Sequence, residues 1–302
     1  MLNRQRVLLH IVLAHGGSMD RTKLMKLLFL LRQETSFAGR PSFYDFVPYR
    51  YGPFSFTAYR DLDALAEAGL LQPDRPQVPR RARSAVRQAT STLSPEDTQA
   101  IRTLLRQYGE GSTNQIKRSV YRRYPFFASR SEGRRGGDVR KKARPAVYTL
   151  GYEGLSVDRF FELLIRRGIT TIADVRRQAA SRKYGFSKSA LVRIAEKLDF
   201  RYTHFPELGV PSQMRSDLQT DSDYAKLFAA YAERILPAAA EQLRLLAAEV
   251  ASRPTVVVCF EADHRRCHRS KLADALAQQT GLPVRHLKEG ADEGAEAHTH
   301  HR

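Results

Sequence analysis

Hydrophobic positions in the second half of the chain alternate between short apolar runs and helical stripes. The runs predict strands over residues 147–150, 171–175, 201–204, 255–258 and 284–287. The stripes predict helices over 156–167, 188–198 and 223–250, the last bent at Pro237, and a helix that ends at Gln279. This alternation is typical of a parallel sheet with helices on both faces, so we expect a Rossmann-like α/β domain.

The first half of the chain follows a helical period instead. Apolar spacing predicts a helix over Asn3–His15 and a second helix capped by Asp20. A strand over 43–49, a turn at 51–53 and a helix over 56–68 follow, and the basic loop beyond Gly69 suits a winged helix-turn-helix. We therefore expect a mainly helical, winged-helix-like domain before the α/β domain.

Composition shifts divide the chain into four segments. Residues 128–145 contain seven basic residues, paired glycines and serine, which is typical of a linker. The prediction is a nucleic-acid- or partner-binding domain over 1–127, this linker, an α/β catalytic domain over 146–290 and a disordered tail over 291–302. Residues 72–90 are interpreted as a second loose stretch.

Positive charge is concentrated in the first half. The 302 residues carry a net charge of +18, of which residues 1–145 contribute 27 Lys/Arg against 12 Asp/Glu, or +15. Such an excess favours a polyanion, so we expect DNA, in its double-stranded form, as the partner. The residues predicted to contact its backbone are Lys23, Lys26, Arg50, Arg80, Arg81, Arg134, Arg135, Lys141 and Lys142.

Several other classes of protein are disfavoured. A hydrophobic content of 42% argues against global disorder, and no apolar run reaches the roughly 18 residues of a membrane span. Two cysteines cannot form a disulfide scaffold, which favours the cytoplasm, or the nucleoid in a bacterium. The chain lacks a Walker A or Gly-x-Gly-x-x-Gly motif, so nucleoside triphosphate hydrolysis and dinucleotide oxidoreduction are not expected.

Unusual polar residues follow four of the predicted strands, and the carboxyl ends of parallel strands meet at one edge of a sheet. We predict that Asp174, Glu261, Glu207 and Arg176 are catalytic, with carboxylates assisting water or an oxocarbenium-like sugar and arginine holding phosphate. The predicted substrate-binding residues are Tyr152, Glu153, Arg182, Tyr184, Phe186, His204, Asp263, His268 and Arg269. In the alternative interpretation, arginine–carboxylate pairs only hold loops together.

The two cysteines raise two further possibilities. Cys259, His264, Cys267 and His268 could supply four zinc ligands, but their spacing lacks the usual paired pattern. Cys259 and Arg265 have the bare spacing of a phosphatase loop, yet the loop is acidic and poor in glycine. We therefore expect two packing cysteines, and neither a metal nor a cofactor.

Motifs in both halves resemble known families. The second half contains TLGYEG, then DVR with SR and GF, then HFPELG, then CFEAD with CHR; across 147–287 it resembles the DUF488 family. That resemblance implies an α/β domain with a polar site but no particular reaction. In the first half, KLMKLLFLL and YDFVPYRYGPFS are similar to the antitoxin-like SocA/Panacea domains, which implies DNA or protein recognition.

Three functions fit these features. The leading hypothesis is a DNA-binding enzyme that excises a base without a metal, as a DNA glycosylase does in repair or defence. The first alternative is a Mg²⁺-dependent nuclease or phosphodiesterase whose metal is held by Asp174, Glu207 and Glu261. The second is a regulator or antitoxin-like protein without enzymatic activity, with a protein partner on the first domain.

Overall fold

The computed structural model describes residues 1–72, 74–132, 143–215 and 218–289. The chain forms two compact units: the first unit comprises Met1–Val139 with Ser156–Glu162, and the second comprises Arg140–Leu155 with Leu163–Arg302. Most of the predicted linker and all of the predicted tail lie outside the described residues. No helix among the described residues is long and apolar enough to cross a membrane.

The first unit is mostly helical. Its helices are α1 (Asn3–His15), α2 (Arg21–Glu34), α3 (Phe56–Glu67), α4 (Arg83–Thr90), α5 (Pro95–Tyr108), α6 (Thr113–Arg123) and α7 (Pro125–Ala128). A hairpin of β1 (Val47–Tyr49) and β2 (Gly52–Phe54) lies between α2 and α3. Polar caps start several helices: Asp20 accepts from the Lys23 amide at 2.7 Å, and Ser94 accepts from the Asp97 amide at 3.0 Å.

Helix α2 forms the centre of this unit. Every residue from Lys23 to Leu31 is buried, so the helix is enclosed on all sides. The ring of Phe29 makes three edge-on contacts, with Phe46, Tyr124 and Phe127, at ring-centroid distances of 4.8–5.3 Å. The core of the unit is therefore built around this helix.

Two local predictions in the first unit were wrong. Gly52 and Pro53 belong to strand β2 because the turn is tighter than expected: Tyr49 pairs with Gly52, which leaves only Arg50 and Tyr51 to reverse the chain. The stretch interpreted as loose contains a 3₁₀ turn (Arg80–Ala82) and helix α4. Val86 of α4 is fully buried, and this apolar contact holds an otherwise polar helix in place.

The second unit confirms the α/β class. Its five parallel strands are β3 (Val147–Gly151), β4 (Thr171–Asp174), β5 (Arg201–His204), β6 (Thr255–Cys259) and β7 (Val284–His286), in the order β5-β4-β6-β3-β7. The helices of this unit are α9 (Lys188–Lys197), α10 (Asp221–Ala230), α11 (Leu236–Ala238), α12 (Ala240–Ser252) and α13 (Arg269–Thr280). Helix α8 (Val157–Arg166) follows β3 in the sequence, and its residues 157–162 belong to the first unit. The helix predicted over 223–250 is thus interrupted, by a π-helical turn at Tyr231–Ile235, which precedes Pro237, and by a break at Ala239.

The strand order defines a crevice at the centre of the sheet. Strand β4 leads to β5 on one side, whereas its neighbour β6 leads to β7 on the other. Connections that leave adjacent strands in opposite directions open a crevice at the carboxyl ends, which is where open α/β sheets bind ligands. The residues after Asp174 and Cys259 therefore occupy the favoured position for a site.

Candidate functional site

The sheet register brings the predicted site segments to one edge. Gly151 of β3 lies beside Cys259 of β6, and Asp174 of β4 lies between Val258 of β6 and His204 of β5. The four segments that follow these strands therefore leave the sheet side by side. Their side chains, however, divide into a buried group that holds the loops and an exposed group that faces solvent.

Asp174 and Arg176 belong to the buried group. Asp174 is fully buried and accepts hydrogen bonds from Arg176 Nε at 2.9 Å, from Arg176 Nη2 at 2.6 Å and from the Tyr202 hydroxyl at 2.7 Å. The Arg176 amide donates to the same carboxylate at 3.1 Å. With its oxygens shielded and occupied, Asp174 has no lone pair directed to a substrate. The structure thus favours a loop-holding role over the predicted catalytic one.

The buried pair of Asp174 and Arg176 is accompanied by shifted pKa values. Burial, followed by the charge of Asp174, raises the pKa of the Tyr202 hydroxyl well above its ordinary value. Burial by itself would lower the pKa of Arg176, but the hydrogen bonds and charges of Asp174 and Tyr152 together outweigh it and raise that pKa. Both groups keep their protons at any physiological pH and act as fixed donors.

Tyr152 and Phe186 form a second part of the buried group. Their rings are stacked at a centroid distance of 4.2 Å, and the exposed fractions are 2% and 0%. Arg176 also donates to the Tyr152 hydroxyl at 2.8 Å. These two aromatics are therefore unavailable to stack on a substrate, contrary to prediction. Phe260 packs edge-on against Tyr152 and is 43% exposed, so it is an aromatic ring that this edge offers to a ligand.

The loop after β6 carries a carboxylate that remains partly exposed. The Glu261 side chain is half-buried, and the Cys259 thiol donates to its Oε2 at 3.1 Å. Buried Arg269 holds the backbone by donating to the carbonyls of Glu261 and Ala262. A Cβ at Gly151 would lie 1.7 Å from the Glu261 carbonyl, so the close approach of β3 to this loop requires glycine. Arg269 thus positions the loop and does not face a substrate.

A cavity of about 960 Å³ opens beside this loop. Two predicted substrate-binding residues, Glu153 and Asp263, line it together with Tyr224, Phe228, Arg265 and Arg266. The Glu153 carboxylate accepts from the Ala262 amide at 2.9 Å, which ties the β3 loop to the β6 loop. Hydrogen bonds from Arg265 lower the pKa of Asp263 to about 2, so this carboxylate is ionised at neutral pH.

The other predicted residues lie on the β4 and β5 side of the edge. Arg182 and Glu207 are exposed, whereas Tyr184 and His204 are half-buried. His204 Nε2 is 2.9 Å from the Arg176 carbonyl and Nδ1 is 3.3 Å from Lys188 Nζ, so the ring joins β5 to the β4 loop. His268 is 2% exposed beside the two cysteines, a position closed to substrate.

The Mg²⁺ alternative finds no ligand set here. Among the described residues, the one group of three or more side chains close enough to share an ion consists of Cys259, Cys267 and His268. Asp174, Glu207 and Glu261 do not converge, and the Asp174 carboxylate is occupied by Arg176. The carboxylate trio predicted for a nuclease is therefore not assembled.

In the first unit, two predicted nucleic-acid contacts are buried. Lys26 is 2% exposed and its Nζ donates to the Pro53 carbonyl at 2.8 Å. Lys23 is 9% exposed and donates to the Gly109 carbonyl at 2.6 Å. Both Nζ groups hold helix α2 to neighbouring backbone, so neither is free to contact a phosphate.

Lys26 should make the stability of the protein depend on pH. Burial lowers its pKa to about 7, so between about pH 7 and 10 the unfolded chain binds more protons than the native one. The free energy of unfolding should therefore rise across this range, by up to about 1.4 kcal/mol per pH unit from this group. Urea unfolding at several pH values should give a less positive slope of unfolding free energy against pH in Lys26→Met, which keeps Lys23 with its lowered pKa, than in the wild type, with its more positive slope. An exposed-lysine control, Lys197→Met, should keep it; an equal slope in all three proteins would contradict the assignment.

Other predicted contacts of the first unit are exposed. The Arg50 side chain is 63% exposed, and Arg80 and Arg81 are exposed in the 3₁₀ turn before α4. Sequence inspection did not single out Arg83 and Arg87, which are exposed on α4. Within the described residues, these four guanidinium groups from Arg80 to Arg87 make no hydrogen bond or ion pair. Arg134, Arg135, Lys141 and Lys142 lie outside the described residues.

Comparison with known proteins bears on the second half of the chain. The family model for "Domain of unknown function DUF488" matches residues 156–276. This match supports the resemblance of the C-terminal half to DUF488, and it covers strands β4 to β6 with the loops that follow them. No curated protein and no solved structure matches the chain.

Proposed function

We propose that this protein is a DNA-directed hydrolase that removes a base by cleaving its N-glycosidic bond. The observation that carries the proposal is the loop after β6, where partly exposed Glu261 lies next to exposed Phe260 at the central crevice of the sheet. A carboxylate beside an unshielded aromatic ring is the pair that base excision uses: one group acts at the sugar and the other stacks on the flipped base.

The proposed reaction is a simple hydrolysis. Glu261 accepts a proton from water as the water oxygen bonds to C1′ of the sugar, and its negative charge stabilises the developing oxocarbenium ion. The C1′–N bond breaks, and the bonding electrons leave with the base, which is then protonated. Water is the second substrate: its hydroxyl stays on C1′, and the proton that Glu261 has taken balances the one that the base gains. No oxidant or reductant is needed.

Charge supports delivery of DNA by the first unit. The sequence places +15 of the net +18 in residues 1–145, and Arg80, Arg81, Arg83 and Arg87 are exposed without carboxylate partners among the described residues. Contacts of this kind neutralise phosphates without reading sequence. A winged-helix-like, antitoxin-related role for this unit, with DNA or a protein partner, is part of the same proposal.

The test is incubation with end-labelled duplexes that carry normal, mismatched or modified bases, with EDTA present and no added Mg²⁺. Half of each sample is then treated with hot alkali, which breaks DNA at abasic sites. We expect strand breaks only after alkali. Direct breaks that require Mg²⁺ would replace the proposal with a nuclease, and a bound but intact duplex in every lane would replace it with a regulator.

A further inference from the structure

Three potential metal ligands converge behind the candidate site. Cys259 ends strand β6, while Cys267 and His268 immediately precede helix α13. Their ligand atoms all lie within 4.8 Å of one another, and the residues are 1%, 1% and 2% exposed. His268 Nδ1 is 3.9 Å from Cys259 Sγ and also 3.9 Å from Cys267 Sγ.

This arrangement suits an ion better than simple packing. In a tetrahedral zinc site, Zn–S bonds of about 2.3 Å and Zn–N bonds of about 2.0–2.1 Å place sulfur and nitrogen about 3.6 Å apart, close to the observed separations. The imidazole is equidistant from both sulfurs, a feature that neither a disulfide nor an apolar contact requires. His268 Nε2 is also buried without a hydrogen-bond partner in the described structure, so the polar contacts of this ring are those of Nδ1 with the two thiols.

We propose that Cys259, Cys267 and His268 bind one zinc ion. Two thiolates and an imidazole form a soft donor set that favours Zn²⁺ over Mg²⁺ or Ca²⁺. On binding, each thiol releases its proton to solvent and both sulfurs bond to the ion. A water completes the tetrahedron. The ion joins the end of β6 to the start of α13 and so closes the loop that presents Phe260 and Glu261.

The proposed zinc ligands differ from the four candidate ligands considered in the sequence analysis. His264 was the fourth candidate ligand in the sequence, but its ring stacks on His286 at a centroid distance of 3.7 Å and lies outside the cluster. The proposal also replaces the expectation that the chain holds no metal. It concerns an ion that organises the loop, and it is independent of the reaction proposed for Glu261.

The test is to measure the metal content of the full-length protein. The protein is purified under reducing conditions from cells grown with zinc in the medium. We expect about one zinc per chain in the wild type, with both thiols unreactive toward a thiol reagent until the ion is chelated. Cys259→Ser and Cys267→Ser should each lose most of the zinc. Cobalt in place of zinc should give thiolate-to-metal charge-transfer absorption in the wild type, which keeps the proposal testable if a serine variant fails to fold.

Matched variants separate this proposal from the proposed function. His264→Asn changes a histidine of the same loop and should keep the zinc, whereas His268→Asn should lose it. Glu261→Gln should also keep the zinc while losing base excision. Zinc-free wild type without the cobalt absorption, or a Cys259–Cys267 disulfide in its mass spectrum, would overturn the metal site without touching the function. Loss of zinc in Glu261→Gln would instead make Glu261 a ligand and overturn its catalytic assignment.

Discussion

Replacement of Glu261 by glutamine should lower the rate of base release by about 10²- to 10⁴-fold, the range typical of losing a general base. The amide keeps the size of the side chain but cannot take a proton from water or balance a sugar cation. The backbone carbonyl of Glu261, which Arg269 holds, is untouched. We therefore expect DNA affinity and thermal unfolding close to those of the wild type, measured with single-turnover kinetics, binding titrations and calorimetry.

Two other carboxylates serve as comparisons. Glu196→Gln removes an exposed charge from α9 and should leave rate and stability unchanged. Asp174→Asn should instead unfold at markedly lower denaturant, because it leaves the buried Arg176 guanidinium without its ionic partner, a loss that typically costs about 3–5 kcal/mol. Wild-type turnover in Glu261→Gln would remove this residue from the mechanism.

Asp174 and Glu261 show which part of the candidate site could be predicted from the sequence and which part could not. The location of Asp174 and Glu261 at the carboxyl ends of strands was predictable. Alternating apolar runs and helical stripes identify a parallel sheet and hence its carboxyl edge. Which of the two carboxylates stays partly exposed was not predictable. The hydroxyl that occupies Asp174 comes from Tyr202 on β5, and only the register of the folded sheet makes the two neighbours.

The sequence of helix α2 indicated that the helix is buried, but its lysines were interpreted as surface residues. Lys23 and Lys26 suggested a basic face, yet the five residues from Leu27 to Leu31 are all apolar. A helix that is apolar all round is typically buried, and two lysines in the turn before that run were poor candidates for a surface. Their partners, the carbonyls of Pro53 and Gly109, are distant along the chain and could not be inferred from spacing.

For residues 72–90, the sequence was interpreted as a loose stretch, but the structure contains an ordered helix there. Proline and arginine gave this stretch the composition of a loop, but Val86 anchors a helix that keeps Arg83 and Arg87 exposed beside Arg80 and Arg81. An ordered 3₁₀ turn and helix that together carry four guanidinium groups, with no carboxylate partner in the described structure, are a stronger candidate for phosphate contact than a mobile loop. They lose less conformational freedom when they bind.

Changing Arg80, Arg81, Arg83 and Arg87 together to glutamine should remove much of the salt dependence of DNA binding. Each neutralised phosphate contributes about 0.9 to the slope of log affinity against log salt, so four contacts account for about three to four units. Between about 50 and 200 mM salt, the wild type should lose about a hundredfold more affinity than the variant. Fluorescence anisotropy with a labelled duplex at several salt concentrations measures both slopes.

The control must remove the same charge elsewhere. Arg193, Lys197, Arg234 and Arg253 are exposed in the second unit, and their replacement by glutamine also lowers the net charge by four. If DNA binds along α4, the control keeps nearly the wild-type slope, because phosphate contacts and not overall charge set the number of counterions released. Equal slopes in the two variants would mean that the helix makes no specific contact. A flatter slope in the control alone would move the DNA-binding surface to the second unit.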